Sequence, residues 1–199
     1  MTLSIVLLIA ATTSALAERL TYDQQRARWT SPEQIHAFIA VNFSYDRSRA
    51  IALSETQRAK GGAFQIYSPE QFFQRPSGIC VDVARFAVET MRAMSPSLKA
   101  RYLRIKFDPV KIQGNVLRMH WLASFERGGK HYFFADSYFP DRLAGPYESV
   151  DQFIKSYQDA RGRQIASYAI VDTFLKQKRK LKAKRLKEPK GERDPKGKG

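Results

Sequence analysis

The sequence has few of the residues that form covalent cross-links or hold a structural metal ion. Among 199 residues it has one cysteine, Cys80, and three histidines. One thiol cannot form an internal disulfide, and a cysteine-rich zinc site needs several thiols. His36 and His131 lack ligand spacing to a second histidine, cysteine or carboxylate pair, and no glycine-rich phosphate loop is present. We therefore expect neither a metal nor a cofactor.

Long apolar runs are also missing. The run at residues 3–11 has nine residues, whereas a bilayer core needs about 20. It is followed by small residues and by Ala15-Leu16-Ala17, which match the small-x-small pattern of a signal-peptidase site, although no Lys or Arg precedes the run. We expect residues 1–17 to be a signal peptide and the protein to be exported, periplasmic or secreted. A buried N-terminal strand or helix is the alternative.

Acidic residues are scarce at the C-terminal end. Residues 176–199 contain twelve Lys or Arg and three acids, which gives +9 of the chain's net charge of +15. This segment has no aromatic residue, so we expect a basic, disordered tail beyond a single domain at residues 18–175. The tail could contact an anionic polymer or a membrane surface. Few arginines and no aromatics make nucleic acid an improbable partner.

Cap motifs and apolar spacing predict the helices. The letters Ser-Pro-Glu-Gln at residues 31–34 and again at 68–71 are capping boxes with proline at the first helical position. A third cap starts a helix within residues 149–157, and residues 47–60 favour one continuous helix. The strongest pattern is at residues 79–94, where apolar side chains recur at spacings of three and four.

After this helix the apolar period changes to two. Residues 103–107 and 117–125 alternate between apolar and polar side chains, which predicts half-buried strands. Gly128-Gly129 turns the second strand into residues 130–136, and residues 165–174 predict a last strand. Helices followed by an antiparallel sheet indicate an α+β fold.

Cys80 is the candidate nucleophile. It lies in the first turn of the strongest helix, where unpaired backbone N–H groups and the helix dipole favour a thiolate. A small buried side chain is the alternative for a lone cysteine.

His120 and Asp136 lie on successive strands, so the register of the hairpin decides whether they meet. A two-residue Gly128-Gly129 loop would place His120 opposite Ser137 and Asp136 on the other face of the sheet. A three-residue loop would pair His120 directly with Asp136. We predict the three-residue loop, because it also sets Glu126 opposite Lys130.

Together these residues resemble the transglutaminase-like cysteine peptidase superfamily, which is bacterial and has a papain-like fold. The resemblance rests on Gly78-Ile79-Cys80-Val81-Asp82, on Met119-His120-Trp121 and on Phe134-Ala135-Asp136-Ser137. It implies that the nucleophile helix packs on an antiparallel sheet and that Cys80, His120 and Asp136 form a catalytic triad. The family usually has a small residue after its histidine and often proline after its aspartate, where this chain has Trp121 and Ser137.

The implied activity is acyl transfer at an amide bond of a protein or peptide substrate, with hydrolysis favoured over cross-linking. Gln74, six residues before Cys80, is a candidate second oxyanion donor beside the Cys80 N–H. Asp82 is expected to support the helix N-terminus or an active-site hydrogen bond. Two alternatives remain: a non-catalytic envelope or surface binding module on the same fold, and a polyanion binder that acts through its tail.

Overall fold

The chain is built on a five-stranded antiparallel sheet with helices on both of its faces. The computed structural model describes residues 20–61 and 64–174. These residues lie within the predicted domain at residues 18–175. The predicted signal peptide, residues 1–17, and the predicted basic tail, residues 176–199, lie outside the described residues.

Short helices come before the sheet in the chain, as the sequence predicts. The helices are α1 (Tyr22–Arg28), α2 (Pro32–Asn42), α3 (Arg47–Ala52), α4 (Glu55–Ala59), α5 (Pro69–Gln74), α6 (Cys80–Met94) and α7 (Val150–Arg161). The strands are β1 (Ser44–Tyr45), β2 (Ser77–Gly78), β3 (Arg101–Ile112), β4 (Asn115–Arg127), β5 (Lys130–Phe134), β6 (Ala144–Tyr147) and β7 (Ile165–Val171). The main sheet has the order β6-β5-β4-β3-β7, and β1 and β2 form a separate parallel pair. The α+β class predicted from the sequence is therefore confirmed.

Helix α6, which begins with Cys80, packs on one face of the main sheet. Its buried side chains include Val83, Ala87 and Met91, and they join a core that contains Ala123 and Phe125 of β4. The apolar spacing that predicts this helix therefore marks its sheet-facing side.

The opposite face of the sheet is covered by α7. Leu103, Ile105 and Phe107 of β3 pack there with Phe153 and Tyr157 of α7. The expected half-buried pattern is present in β3, where Lys106 is exposed between buried apolar neighbours. It is wrong for β4, because the polar residues His120 and Ser124 are also buried. Alternation of polar and apolar residues cannot reveal a helix that covers the second face.

The predicted register of the β4–β5 hairpin is also wrong. Arg127 pairs with Lys130, and Glu126 pairs with His131, so the loop has two residues and not three. Gly128 and Gly129 both have positive φ, of 58° and 74°. A two-residue turn with positive φ at both positions matches the twist of the flanking strands, so the glycine pair favours this shorter loop.

Two details of the N-terminal helices differ from the sequence prediction. The helix expected over residues 47–60 is interrupted, because Ser54 caps a new helix by accepting a hydrogen bond from the Gln57 N–H. The Ser31 side chain makes no cap hydrogen bond, and Gln34 instead accepts from the Thr30 N–H at 2.7 Å. The capping box at Ser68 is present as predicted.

Within residues 20–61 and 64–174, none of the helices combines the length and the apolar character that a bilayer crossing requires.

Candidate active site

Cys80 is the first residue of α6 and is partly exposed as a free thiol. The short β1–β2 ladder fixes the approach to it, because Tyr45 pairs with Gly78 and the Asp46 N–H donates to the Gly78 carbonyl at 2.8 Å. At the first helical position the Cys80 N–H has no carbonyl partner within the helix. The thiol therefore lies where the helix supplies unpaired N–H groups.

Asp82 organises the N-terminus of this helix. Its carboxylate is fully buried, and it accepts hydrogen bonds from the Ile79 N–H at 3.0 Å and the Tyr67 N–H at 2.9 Å. Arg49 donates to both carboxylate oxygens, with the shortest distance 2.9 Å. The arginine compensates the charge of the carboxylate, which would otherwise oppose a thiolate two residues away.

Gly78 explains the first position of the Gly-x-Cys-x-Asp motif. A Cβ atom at residue 78 would lie 2.8 Å from Oδ2 of Asp82, closer than a carbon and an oxygen can approach without displacement. The motif therefore combines a close approach of the carboxylate with the absence of a side chain at residue 78.

His120 is buried on β4 and contacts two aromatic rings, which also contact each other. The Tyr157 ring stacks on the imidazole at 6.2 Å between centroids with an interplanar angle of 7°, and Phe107 lies at 6.2 Å. His120 Nε2 lies 2.8 Å from Asp136 Oδ1. The imidazole is thus fixed both by packing and by a carboxylate.

Asp136 reaches His120 although the hairpin has the register that was expected to separate them. Pairing of β5 with β4 stops at Phe134, which is opposite Ala123. Ala135 then adopts a left-handed conformation with φ of 59°, so the alternation of side chains between the two faces ends before Asp136. Strand alternation does not extend past Phe134, so the two-residue loop does not separate Asp136 from His120.

Asp136 has two further hydrogen-bond donors. The Tyr138 N–H donates to Oδ1 at 2.8 Å, and the Tyr157 hydroxyl donates to Oδ2. Burial and the charge of Asp136 raise the pKa of Tyr157, so its hydroxyl remains a donor. Tyr157 was assigned only to a helix by the sequence, because its spacing with Phe153 and Ile154 is that of an ordinary apolar helix face.

The electrostatics favour an ion pair between the imidazole and the carboxylate. Burial acts to lower the pKa of His120, but the charge and hydrogen bond of Asp136, with a contribution from Cys80, raise it to about 9. Burial acts to raise the pKa of Asp136, but His120, the Tyr157 hydroxyl and the Tyr138 N–H lower it to about 2. At neutral pH the pair is imidazolium and carboxylate.

Cys80 lies beside this pair. It is close enough to the His120 imidazole to contribute to the raised pKa of that ring. Because Nε2 of the ring is engaged by Asp136, Nδ1 is the nitrogen available to the thiol. The structure therefore brings Cys80, His120 and Asp136 together.

Other candidate residues have separate positions. Gln74 is exposed at the end of α5, and its side chain makes no hydrogen bond to any residue within 20–61 or 64–174, so its oxyanion role stays a prediction. Trp121 is part of the core and also lines a cavity beside Cys80. In the described part of the chain, no group of three or more His, Cys, Asp or Glu side chains is arranged to hold a metal ion.

The family of the chain follows from a comparison with family models. A model described as a transglutaminase-like domain matches residues 11–112, which is half of the chain. The chain therefore belongs to the transglutaminase-like family, as the resemblance indicates. The matched residues contain Gly78, Cys80 and Asp82 and end before His120 and Asp136.

Among solved structures, the chain is similar to calcium-bound LapG from Legionella pneumophila. The two are 19% identical, the TM-score is 0.34, and the alignment covers 69% of this chain and 62% of that one. The chain thus spans less than two thirds of the length of LapG. A comparison with curated proteins gave no match.

Proposed function

We propose that the protein is a thiol-dependent amide hydrolase, a peptidase or amidase, in which Cys80 is the nucleophile and His120 the acid–base group. The observation that carries the proposal is the buried 2.8 Å pair of His120 and Asp136 beside a partly exposed thiol at a helix N-terminus. A buried histidine with a merely structural role would not need an adjacent thiol together with a carboxylate.

In the first half of the reaction, the Cys80 sulfur attacks the carbonyl carbon of an amide and a C–S bond forms. The carbonyl electron pair moves to oxygen, and the tetrahedral intermediate collapses with loss of the amine, which takes a proton from the His120 imidazolium. The product is a thioester on Cys80. Asp136 acts as a positioning residue that keeps the ring oriented and stabilises its charged form.

In the second half, His120 accepts a proton from water and the hydroxide attacks the thioester carbonyl. The C–S bond breaks, a carboxylic acid leaves, and the sulfur returns to the thiolate paired with the imidazolium. An amine in place of water would give acyl transfer by the same steps. Water as the acceptor, and with it hydrolysis, is part of the proposal.

The oxyanion requires donors that are in place before the reaction. The Cys80 N–H is one, since it begins α6 without a carbonyl partner in the helix. We retain Gln74 as the candidate second donor on its spacing of six residues before Cys80.

The substrate class and the location are further parts of this proposal. We propose a protein or peptide substrate, because the site contains a nucleophile suited to amide carbonyls. We also propose export, on the basis of the apolar and small residues at 3–17. A contact of residues 176–199 with an anionic polymer or a membrane surface rests on their net charge of +9.

The test is hydrolysis of a mixed peptide library, followed by mass spectrometry of the new termini. We expect cleavage by the full chain, and a loss of at least about a thousandfold in Cys80→Ala and in His120→Ala. Both variants should still unfold in one cooperative thermal transition, with a lower midpoint for His120→Ala because Asp136 loses its buried partner. Cleavage that survives Cys80→Ala would overturn the proposal, and removal of residues 176–199 should leave cleavage intact.

A further inference from the structure

A cavity of about 190 Å³ opens directly beside Cys80. Cys80 and Tyr45 are part of its wall, and other wall residues come from α3, α4, α6, β3, β4 and the segment that follows β7. The cavity is therefore next to the atom that would attack the substrate.

Most of the wall is apolar. It is formed in part by the side chains of Leu53, Ile79, Val81, Leu117, Trp121 and Phe174. An apolar cavity of about 150 Å³ is large enough to hold benzene, whereas whole small-molecule ligands occupy pockets of about 300 Å³ or more. The space fits one side chain the size of leucine or phenylalanine, and it is too small for a cofactor.

The charged part of the wall has a net positive charge, because Arg58, Arg104 and Arg118 line it with one acid, Glu55. Arg58 is exposed to solvent. Arg118 forms an ion pair with Glu55 at 3.0 Å. Arg104 also lines the cavity and is partly buried, yet it has no acidic partner among residues 20–61 and 64–174. It is held on β3 opposite Trp121, which is itself a wall residue. An uncompensated guanidinium beside an apolar space favours a ligand that carries a negative charge near an apolar group.

We propose that this cavity binds the side chain of the residue that supplies the scissile carbonyl, that it selects a large apolar residue there, and that Arg104 favours an acidic neighbour. This inference rests on the proposed function. The carbonyl carbon attacked by Cys80 belongs to that residue, so its side chain is the one that lies closest to the cavity beside the sulfur.

Two sets of probes test the pocket. The first set is peptides with a fluorogenic amide, and the second is peptidyl acyloxymethyl ketones, in which Cys80 displaces a carboxylate and forms a thioether. In both sets the residue before the reactive carbonyl is Ala, Leu or Phe. We expect rates with Leu or Phe to exceed those with Ala by about 10- to 100-fold.

A variant that fills the cavity should remove this preference. Ala50 lines the cavity and is 8% exposed, so Ala50→Leu adds three carbons to the wall. The ratio of the rate with the Leu probe to the rate with the Ala probe should fall to about threefold or less. The rate with the Ala probe itself should be retained. Ala52→Leu is the matched control, because Ala52 is exposed on the same helix and is not part of the wall. If Ala50→Leu lowers the thermal midpoint, Leu117→Ala replaces it and should shift the preference towards Trp.

The charge is tested with peptides that carry Asp or Asn next to the Leu residue. We expect Asp to be preferred about tenfold, and Arg104→Gln to abolish this preference. Lys106→Gln removes the same charge two residues along β3, outside the cavity wall, and should preserve it. Equal rates for Asp and Asn in the unsubstituted protein would overturn the role of Arg104.

The two readouts separate this inference from the proposed function. Selective labelling of Cys80 without hydrolysis would support the pocket and contradict the hydrolase. Hydrolysis with equal rates for Ala, Leu and Phe would support the hydrolase and overturn the pocket. Labelling without selectivity would overturn the pocket whether or not hydrolysis occurs.

Discussion

Tyr157 of α7 donates its hydroxyl hydrogen bond to the same carboxylate, Asp136, whose other oxygen binds His120. The helix that covers the second face of the sheet therefore contributes to the candidate active site. The Tyr157 ring also stacks on the imidazole, so one residue contacts both members of the ion pair.

Removing this hydroxyl should weaken the site without unfolding the protein. In Tyr157→Phe the ring remains, but Asp136 loses one of its donors, and a hydrogen bond to a charged group contributes about 1.5–3 kcal/mol. We expect kcat/KM for amide hydrolysis to fall on the order of tenfold. The matched control is Tyr147→Phe, which alters a partly buried tyrosine of β6 that packs on Phe133 and Phe153. Equal effects of the two substitutions would contradict a role for the Tyr157 hydroxyl.

The ion pair should give stability a defined dependence on pH. The pKa of His120 rises from 6.5 to about 9 on folding, so its contribution is complete below pH 6.5 and is lost as pH rises through about 9. The pKa of Asp136 falls from 3.8 to about 2, so its contribution is complete above pH 3.8 and is lost as pH falls towards about 2.

The measurement is the thermal midpoint of the unsubstituted protein and of His120→Gln across this pH range. The difference between them should be largest between about pH 4 and 6.5 and should shrink above that range. A difference that stays constant from pH 5 to 10 would show that His120 is not held as an imidazolium.

The left-handed backbone conformation of Ala135 sets the position of the Asp136 side chain. Ala135 is fully buried with φ of 59°, a conformation in which a non-glycine residue costs about 1–2 kcal/mol. Ala135→Gly should therefore retain activity and stability, whereas Ala135→Val should lower the free energy of unfolding by about 2 kcal/mol or more. Urea denaturation measures both. A valine tolerated without loss would argue against this backbone conformation.

The Asp82–Arg49 pair should be important for stability. Removing one partner of a buried ion pair costs about 3–5 kcal/mol, so Arg49→Met should lower the free energy of unfolding by about that amount. Arg101→Met is the comparison, because its pair with Asp172 is largely exposed and should contribute less than about 1 kcal/mol. The two substitutions are compared by urea denaturation. Equal losses would contradict the structural role assigned to the pair.

The helix of the nucleophile could be predicted from the sequence because its determinants are local. Apolar spacing from Val83 to Met91 and the serine and proline after Met94 specify α6 without knowledge of its neighbours. The capping box at Ser68 is also local, and it forms. The same letters at Ser31 do not form a cap, because the Gln34 side chain binds the Thr30 N–H instead.

The site was only partly predictable because its geometry depends on residues that are distant in sequence. The sequence predicts Cys80, His120 and Asp136 as one set, but it predicts the wrong register for the hairpin. The structure brings His120 and Asp136 together through the left-handed turn at Ala135, which an alternating pattern does not indicate. Arg49 and Tyr157 reach the site through tertiary packing, and neither has a local signature.

The most direct test of the account is alkylation of Cys80, the only thiol in the chain, so any thiol reagent reports on it alone. The second-order rate of iodoacetamide labelling is measured by mass spectrometry from pH 5 to 9 for the unsubstituted protein and for His120→Ala. Because the imidazolium stabilises a thiolate, labelling at pH 6 should be at least about tenfold faster than in His120→Ala. Labelling at the same rate, with the same pH dependence in both proteins, would contradict the pairing of Cys80 with His120 and with it the proposed hydrolase.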